Sequence, residues 1–161
     1  MEIQSNKVIG IIGTPKSVDQ YIAANFSNTN HKYTIFDMNE KIEETRNVLE
    51  CMRIWSEEYA LQKFNEDDLI TFLYIGRLDG RIDTQIAKLT IGEKKRLLFL
   101  KAMLANCYYY IIHELFDGVD KKDIEILTQM LIELSTYATI VLTAENDNGF
   151  SICDKIIILS Y

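Results

Sequence analysis

Two hydrophobic rhythms alternate along this chain. Short apolar runs of strand length occupy residues 7–13, 32–36, 107–112, 138–143 and 156–160, and polar or glycine-containing turns bound them. Between these runs, apolar residues recur at three- and four-residue steps, the spacing of a buried helix face. That spacing predicts helices over 17–26, 90–106 and 121–134, and a helical stretch over 40–78 carried by Val48, Leu49, Met52, Trp55, Tyr59, Leu69, Phe72 and Leu73. Asn65-Glu-Asp-Asp68 divides that stretch, and Asn65 suits the N-cap of its second helix. Thr90 stands three residues before Glu93, a capping-box spacing. Ser27 to His31 reads as a polar turn. The alternation predicts an α/β fold with a mostly parallel sheet flanked by helices and one all-helical insertion. The sheet core is expected at about 1–39 and 107–161, and the helical part at about 40–106.

Composition narrows the function classes. The 161 residues suit one domain with a real core, and 48% hydrophobic content is ordinary for a globular fold. A net charge of −7, with no Lys/Arg stripe among aromatics, argues against nucleic acid as a partner. No apolar run reaches the roughly 18–20 residues that span a bilayer, so no direct membrane insertion is expected. The start lacks a signal-peptide layout, and Cys51, Cys107 and Cys153 form no CxxC pair, which suits reduced thiols in a cytoplasmic setting. His31 and His113 are the two histidines, too few for a histidine-rich metal site.

Three segments carry candidate chemistry. Gly10-Ile-Ile-Gly13-Thr14-Pro15-Lys16-Ser17 fits GxxxxGK[ST] at every position except Pro15, with a strand before and a helix after. Such a loop turns backbone N–H groups toward phosphate, while Lys adds charge and Ser can ligate Mg²⁺. Pro15 removes one N–H and fixes φ near −65°. A strand–turn–helix with a solvated lysine is the competing reading. The second segment is Leu89-Thr90-Ile91-Gly92-Glu93, followed by Arg96, at a helix start. The third is the apolar run Tyr108 to Ile112, then His113-Glu114-Leu115-Phe116-Asp117-Gly118-Val119-Asp120.

Taken in order, these segments resemble the ATP-binding-cassette (ABC) ATPases. Their signature motif is Leu-Ser-Gly-Gly-Gln with an Arg after two residues. Their Walker B strand ends in Asp-Glu-Pro, and a Gly-Leu-Asp D-loop follows. The resemblance covers nearly the whole chain and implies a P-loop NTPase-like fold with a helical signature subdomain. The antiparallel β subdomain is expected to be reduced or absent, since the chain begins nine residues before Gly10 and the turn at Ser27–His31 replaces a longer β insertion. It assigns nucleotide binding to Gly10, Gly13, Thr14, Lys16, Ser17 and Val18, with Ser17 on Mg²⁺. Glu114 takes the place of the catalytic base and His113 that of the magnesium-supporting Asp, an exchange that a hard, oxygen-preferring ion disfavours. Asp120 retains the D-loop position. Asn39 lies near the place of a magnesium-contacting Gln, and Glu145 stands at the switch-histidine position.

The family relationship implies ATP and Mg²⁺ as cofactors, and as partners a transmembrane permease subunit and a second ABC subunit. With the P-loop Gly, adenine aromatic, Gln, Walker B Asp and switch His all altered, the expectation is a degenerate, weakly hydrolytic or silent cassette. It would sit in the cytoplasm, peripheral to the membrane through a permease that docks on the helical part. Pairing with an intact cassette is favoured over self-pairing, which would bring two damaged sites together. Two alternatives stay open. One is a competent small ATPase in which Glu145 or Asp37 supplies the missing magnesium contact. The other is a non-catalytic regulatory or immunity scaffold.

Overall fold

The computed structural model describes residues 7–26, 33–60 and 62–160; the expected turn at Ser27–His31 lies outside them. Five strands form one sheet: β1 (Val8–Ile12), β2 (Tyr33–Asp37), β3 (Tyr109–His113), β4 (Thr139–Ala144) and β5 (Lys155–Ile158). Their order is β2-β3-β4-β1-β5, and every pairing is parallel. Continuous apolar runs suit a parallel sheet because helices must cover both faces. Tyr110, Ile111 and Ile112 of β3 and Ile140, Val141 and Leu142 of β4 are all buried. Helix α1 (Pro15–Phe26) adds Val18 and Phe26 to a core cluster with Ile11, Ile111 and Val141.

The chain divides into two compact units. One comprises residues 1–39, 107–117 and 131–161, and the other residues 40–106 and 118–130. Residues 118–130, expected with the sheet core from the sequence, group with the helical part.

The helical unit holds α2 (Val48–Tyr59), α3 (Glu66–Ile75), α4 (Ile91–Ala105) and the first part of α5 (Lys121–Ser135). Asn65 caps α3 in a reciprocal box with Asp68, and Thr90 caps α4 in one with Glu93. Residues 40–47, expected to be helical, are irregular. Their ends are tied down by backbone bonds to a downstream segment, such as Ile86 N–H to the Arg46 carbonyl at 2.9 Å. α4 buries residues around its whole circumference, Lys95 and Arg96 among them, which explains its weak amphipathic signal.

Register fixes what meets at the carboxyl ends of the strands. Asp37 pairs with His113, His113 with Thr143, and Ile12 with Ala144. Crevices beyond these ends are where open parallel sheets receive ligands.

Candidate functional site

The β1–α1 connection is shorter than the motif spacing suggests. Gly10 lies inside β1, and a Cβ there would sit 2.7 Å from the Phe150 ring and 3.0 Å from Cys153 Sγ. Its smallness therefore serves packing against Phe150 and Cys153 at the motif's first position. Only Gly13 and Thr14 stand between Ile12 and Pro15. Gly13 N–H donates to the Ala144 carbonyl at 3.0 Å, and Val18 N–H to the Thr14 carbonyl at 2.9 Å. Thr14 Oγ1 accepts the Ser17 N–H at 3.2 Å, the side-chain bond of a helix N-cap. Pro15 occupies the first helical position, where a missing N–H costs nothing and a preset φ helps. The single proline is thus a helix starter.

Ser17 is occupied locally as well. Its hydroxyl donates to the Thr14 carbonyl at 2.9 Å and accepts from Thr14 Oγ1 at 3.0 Å. Lys16 is exposed on the first turn of α1.

Beside this turn lies a cavity of about 260 Å³ within the sheet unit. Gly13, Pro15, Val18 and Asp19 line one side, and Asp37, Asn39, His113, Glu114, Thr143 and Ala144 close it at the strand ends. Three of these are carboxylic acids, and no lysine or arginine is among the lining residues. Lys16 and Glu145 do not line it.

Glu114 adopts φ 57°, a left-handed conformation that a side-chain-bearing residue enters at a cost. Two contacts hold it there. Its N–H donates to the Thr143 carbonyl at 2.9 Å, and its Oε1 accepts the Glu145 N–H at 3.2 Å. Glu145 thus contacts Glu114 through its backbone N–H. His113 Nδ1 is hydrogen-bonded to Thr143 Oγ1. Burial of the imidazole pushes its pKa below the ordinary value, against the opposing pull of Asp19 and Asp37. Asn39 N–H donates to Asp37 Oδ1 at 2.9 Å, fixing the loop after β2.

The motif comparison missed Asp19 and Thr143. Asp19 is an acid early in a helix, a position that ordinarily signals favourable helix electrostatics. Thr143 is a polar residue at the end of an apolar strand, and only its register opposite His113 reveals its place.

Residues 89–93 and Asp120, which the resemblance assigns to a signature and a D-loop, belong to the helical unit. Leu89 is buried, Thr90 and Ile91 are exposed, and Gly92 and Glu93 are buried. Thr90 Oγ1 accepts the Glu93 N–H at 3.1 Å, while Glu93 Oε1 accepts the Thr90 N–H at 3.0 Å. Arg81 Nε donates to Glu93 Oε2 at 2.8 Å. Burial alone would raise the Glu93 pKa, but the Thr90 N–H and Arg81 hold it below the usual carboxylate value. Asp120 Oδ1 accepts the Asp123 N–H at 2.9 Å and so caps α5, and this bond is the main reason its pKa is lowered.

These residues fit a nucleotide's phosphates poorly. A phosphate nest needs several successive free N–H groups and a nearby cation. Here Gly13, Ser17 and Val18 have donated theirs within the chain, Pro15 has none, and the adjoining cavity is acidic. Mg²⁺ fares little better. Ser17 is turned back to Thr14, and among the described residues no group of three or more His, Cys, Asp or Glu is arranged to hold a metal ion.

No protein-family model matches the chain. A cytochrome c biogenesis ATP-binding export protein, CcmA, from Reclinomonas americana is 32% identical over 124 residues, covering 74% of this chain and 56% of that protein. The chain spans about half the length of the curated relatives it matches, or less. Among solved structures, the ADP conformation of an ATP-binding cassette of an ABC transporter superposes with a TM-score of 0.78 at 15% identity, over 99% of this chain and 78% of that one. A dimeric post-hydrolysis state of another ATP-binding cassette, bound to ADP and Pi, gives 0.76 at 15% identity, over 99% and 84%. Among the described residues, no helix is long and apolar enough to cross a membrane.

Proposed function

Because the chain belongs to the ATP-binding-cassette ATPase family, we propose that it is a nucleotide-binding-type subunit of a membrane transporter whose own nucleotide site is degenerate. The observation that carries this reading is the two-residue β1–α1 connection, which leaves a proline-started helix where a phosphate loop would be. Three adjoining features point the same way: Ser17 bonded to Thr14, the acidic cavity, and His113 at the end of β3. Phosphoryl transfer depends on positioning and charge neutralisation, so loss of free N–H donors beside an acidic cavity leaves hydrolysis weak or absent even with Lys16 retained. ATP and Mg²⁺ are then cofactors of the assembly more than of this chain.

In this reading the subunit pairs with a second, intact cassette and docks on a transmembrane permease at the cytoplasmic face. A dimeric neighbour holding ADP and Pi supports the pairing, and the CcmA relative's description as an export protein supports a transporter setting. Thr90, Ile91 and Gly92 are the residues that would face the partner's nucleotide, and Leu89 and Glu93 hold that turn from beneath.

One observation favours a second reading. Asp37 and Glu114 line the same cavity, so a carboxylate could stand in for the missing magnesium ligand of a competent ATPase. Trinitrophenyl-ATP fluorescence and phosphate release from the purified chain separate the two. The degenerate reading expects neither signal above a buffer blank. Turnover lost in both Asp37→Asn and Glu114→Gln would instead establish the competent one. Co-purification from membranes with a permease and a full-length cassette tests the partners, and recovery of the chain alone would favour a scaffold.

A further inference from the structure

Asn148 is followed by Gly149, and no other asparagine in the sequence precedes a glycine. The pair lies in the turn after β4, which the Phe150 N–H closes by donating to the Asp147 carbonyl at 2.9 Å. Asn148 is exposed, and its backbone N–H donates to Asn146 Oδ1 at 2.9 Å. Among the described residues, neither the Asn148 carboxamide nor the Gly149 N–H makes a hydrogen bond. The other described asparagines are held differently. Asn25, Asn39, Asn47, Asn65 and Asn146 each commit a side-chain oxygen or nitrogen to a hydrogen bond. Asn106 precedes Cys107, whose N–H already donates to the Tyr110 hydroxyl at 2.9 Å.

An uncommitted carboxamide beside an uncommitted glycine N–H carries its own chemistry. The Gly149 nitrogen, on losing its proton, attacks Asn148 Cγ. The new N–C bond closes a succinimide ring as the Cγ–Nδ2 bond breaks, and ammonia leaves. Water then opens the ring at either carbonyl, giving aspartate or, with the backbone routed through Cβ, isoaspartate. One amide and one water become one carboxylate and one ammonium, so no other reactant is required. Glycine permits the attack because it presents no side chain to hinder close backbone approach.

The packing beneath the turn gives the product something to disturb. Gly149 has φ 79° and ψ 0°, and a Cβ there would lie 2.5 Å from the Phe116 ring. Phe150 follows, 3% exposed, with its ring against Gly10. An isoaspartyl link adds one backbone atom inside the turn that the Asp147–Phe150 bond closes. With the Phe116 ring on one side, Gly149 has little space in which to absorb it. We propose that Asn148 is a site of spontaneous deamidation through Gly149, and that its isoaspartyl product loosens the seating of Phe116 and Phe150. The site belongs wholly to the sheet unit and does not depend on whether the β1–α1 turn binds nucleotide.

The test incubates the purified chain warm, at mildly acid and mildly alkaline pH, beside Asn148→Ser and Asn148→Asp. Peptide mapping by mass spectrometry and thermal midpoints are the readouts. The wild-type peptide containing Asn148 is expected to gain the mass of an amide-to-acid exchange and to split into aspartyl and isoaspartyl forms. Conversion should be faster at alkaline pH, because the attacking nitrogen must lose its proton, and the split should be lost in Asn148→Ser. The midpoint of incubated wild type should fall by about 2–4 °C, while that of incubated Asn148→Ser holds. Asn148→Asp carries the new charge without the extra backbone atom and should match fresh wild type. An Asn148 peptide that stays unconverted, whatever other asparagines do, overturns the site. Conversion at Asn148 with an unchanged midpoint overturns its link to Phe116 and Phe150.

Discussion

The Ser17 hydroxyl donates to the Thr14 carbonyl oxygen at 2.9 Å, closing the start of α1 upon itself. The residue that the ABC resemblance assigns to magnesium thus completes a helix N-terminus. Thr14 takes part from both sides, since its hydroxyl caps the Ser17 N–H and also donates to Ser17 Oγ. A helix start satisfied in this way has little left to offer a phosphate, and stability becomes the first property that substitutions here disturb.

Gly10→Ala should destabilise the protein whether or not nucleotide is present. The added methyl meets the Phe150 ring at 2.7 Å, and overpacking of this kind costs roughly 1–3 kcal/mol. Urea unfolding should show a lower midpoint with an unchanged slope. A variant as stable as wild type but altered in ATP response would give Gly10 a role in binding instead of packing.

Thr90→Ala removes the acceptor for the Glu93 N–H and should cost about 1 kcal/mol, while Thr90→Ser should be close to neutral. Chemical denaturation of the three proteins gives the comparison. If alanine and serine behave alike, the hydroxyl is not what holds the start of α4.

Acid should weaken the fold through His113. Its folded pKa lies below the unfolded value of 6.5 because burial disfavours the imidazolium, so the unfolded chain binds the proton more readily. Stability therefore rises with pH through the window between the folded pKa and 6.5, and falls as pH drops through it. Asp19, Asp37 and Glu114 face the same cavity, and Asp19 and Asp37 limit the effect by favouring the charged ring. Thermal midpoints between pH 5 and 7.5 should slope less in His113→Gln than in wild type. An identical slope would place the titrating group elsewhere.

Much of the fold was legible because apolar periodicity reports burial directly. The five strands, the caps at Asn65 and Thr90, and the α/β class follow from residues whose neighbours in sequence are also their neighbours in space. The site was less legible. The GxxxxGK[ST] spacing counts residues but cannot tell a loop glycine from a strand glycine, so Gly10 matched a motif while folding into β1. Pro15 read as damage to a loop, yet it sits where helices accept proline. Residues 40–47 lacked a helix because their backbone bonds go to a distant segment, which no local propensity encodes. The Thr143–His113 and Asp123–Gly92 contacts each join residues on separate elements, so only register and packing reveal them.

The most direct measurement is calorimetric titration of Mg²⁺–ATP into the purified chain, with Lys16→Ala alongside. Too few free N–H groups and an acidic cavity predict no saturable heat in either protein. Binding tighter than about 100 μM, worth roughly 5.5 kcal/mol, that disappears in Lys16→Ala would contradict the account and show that this short turn holds nucleotide after all.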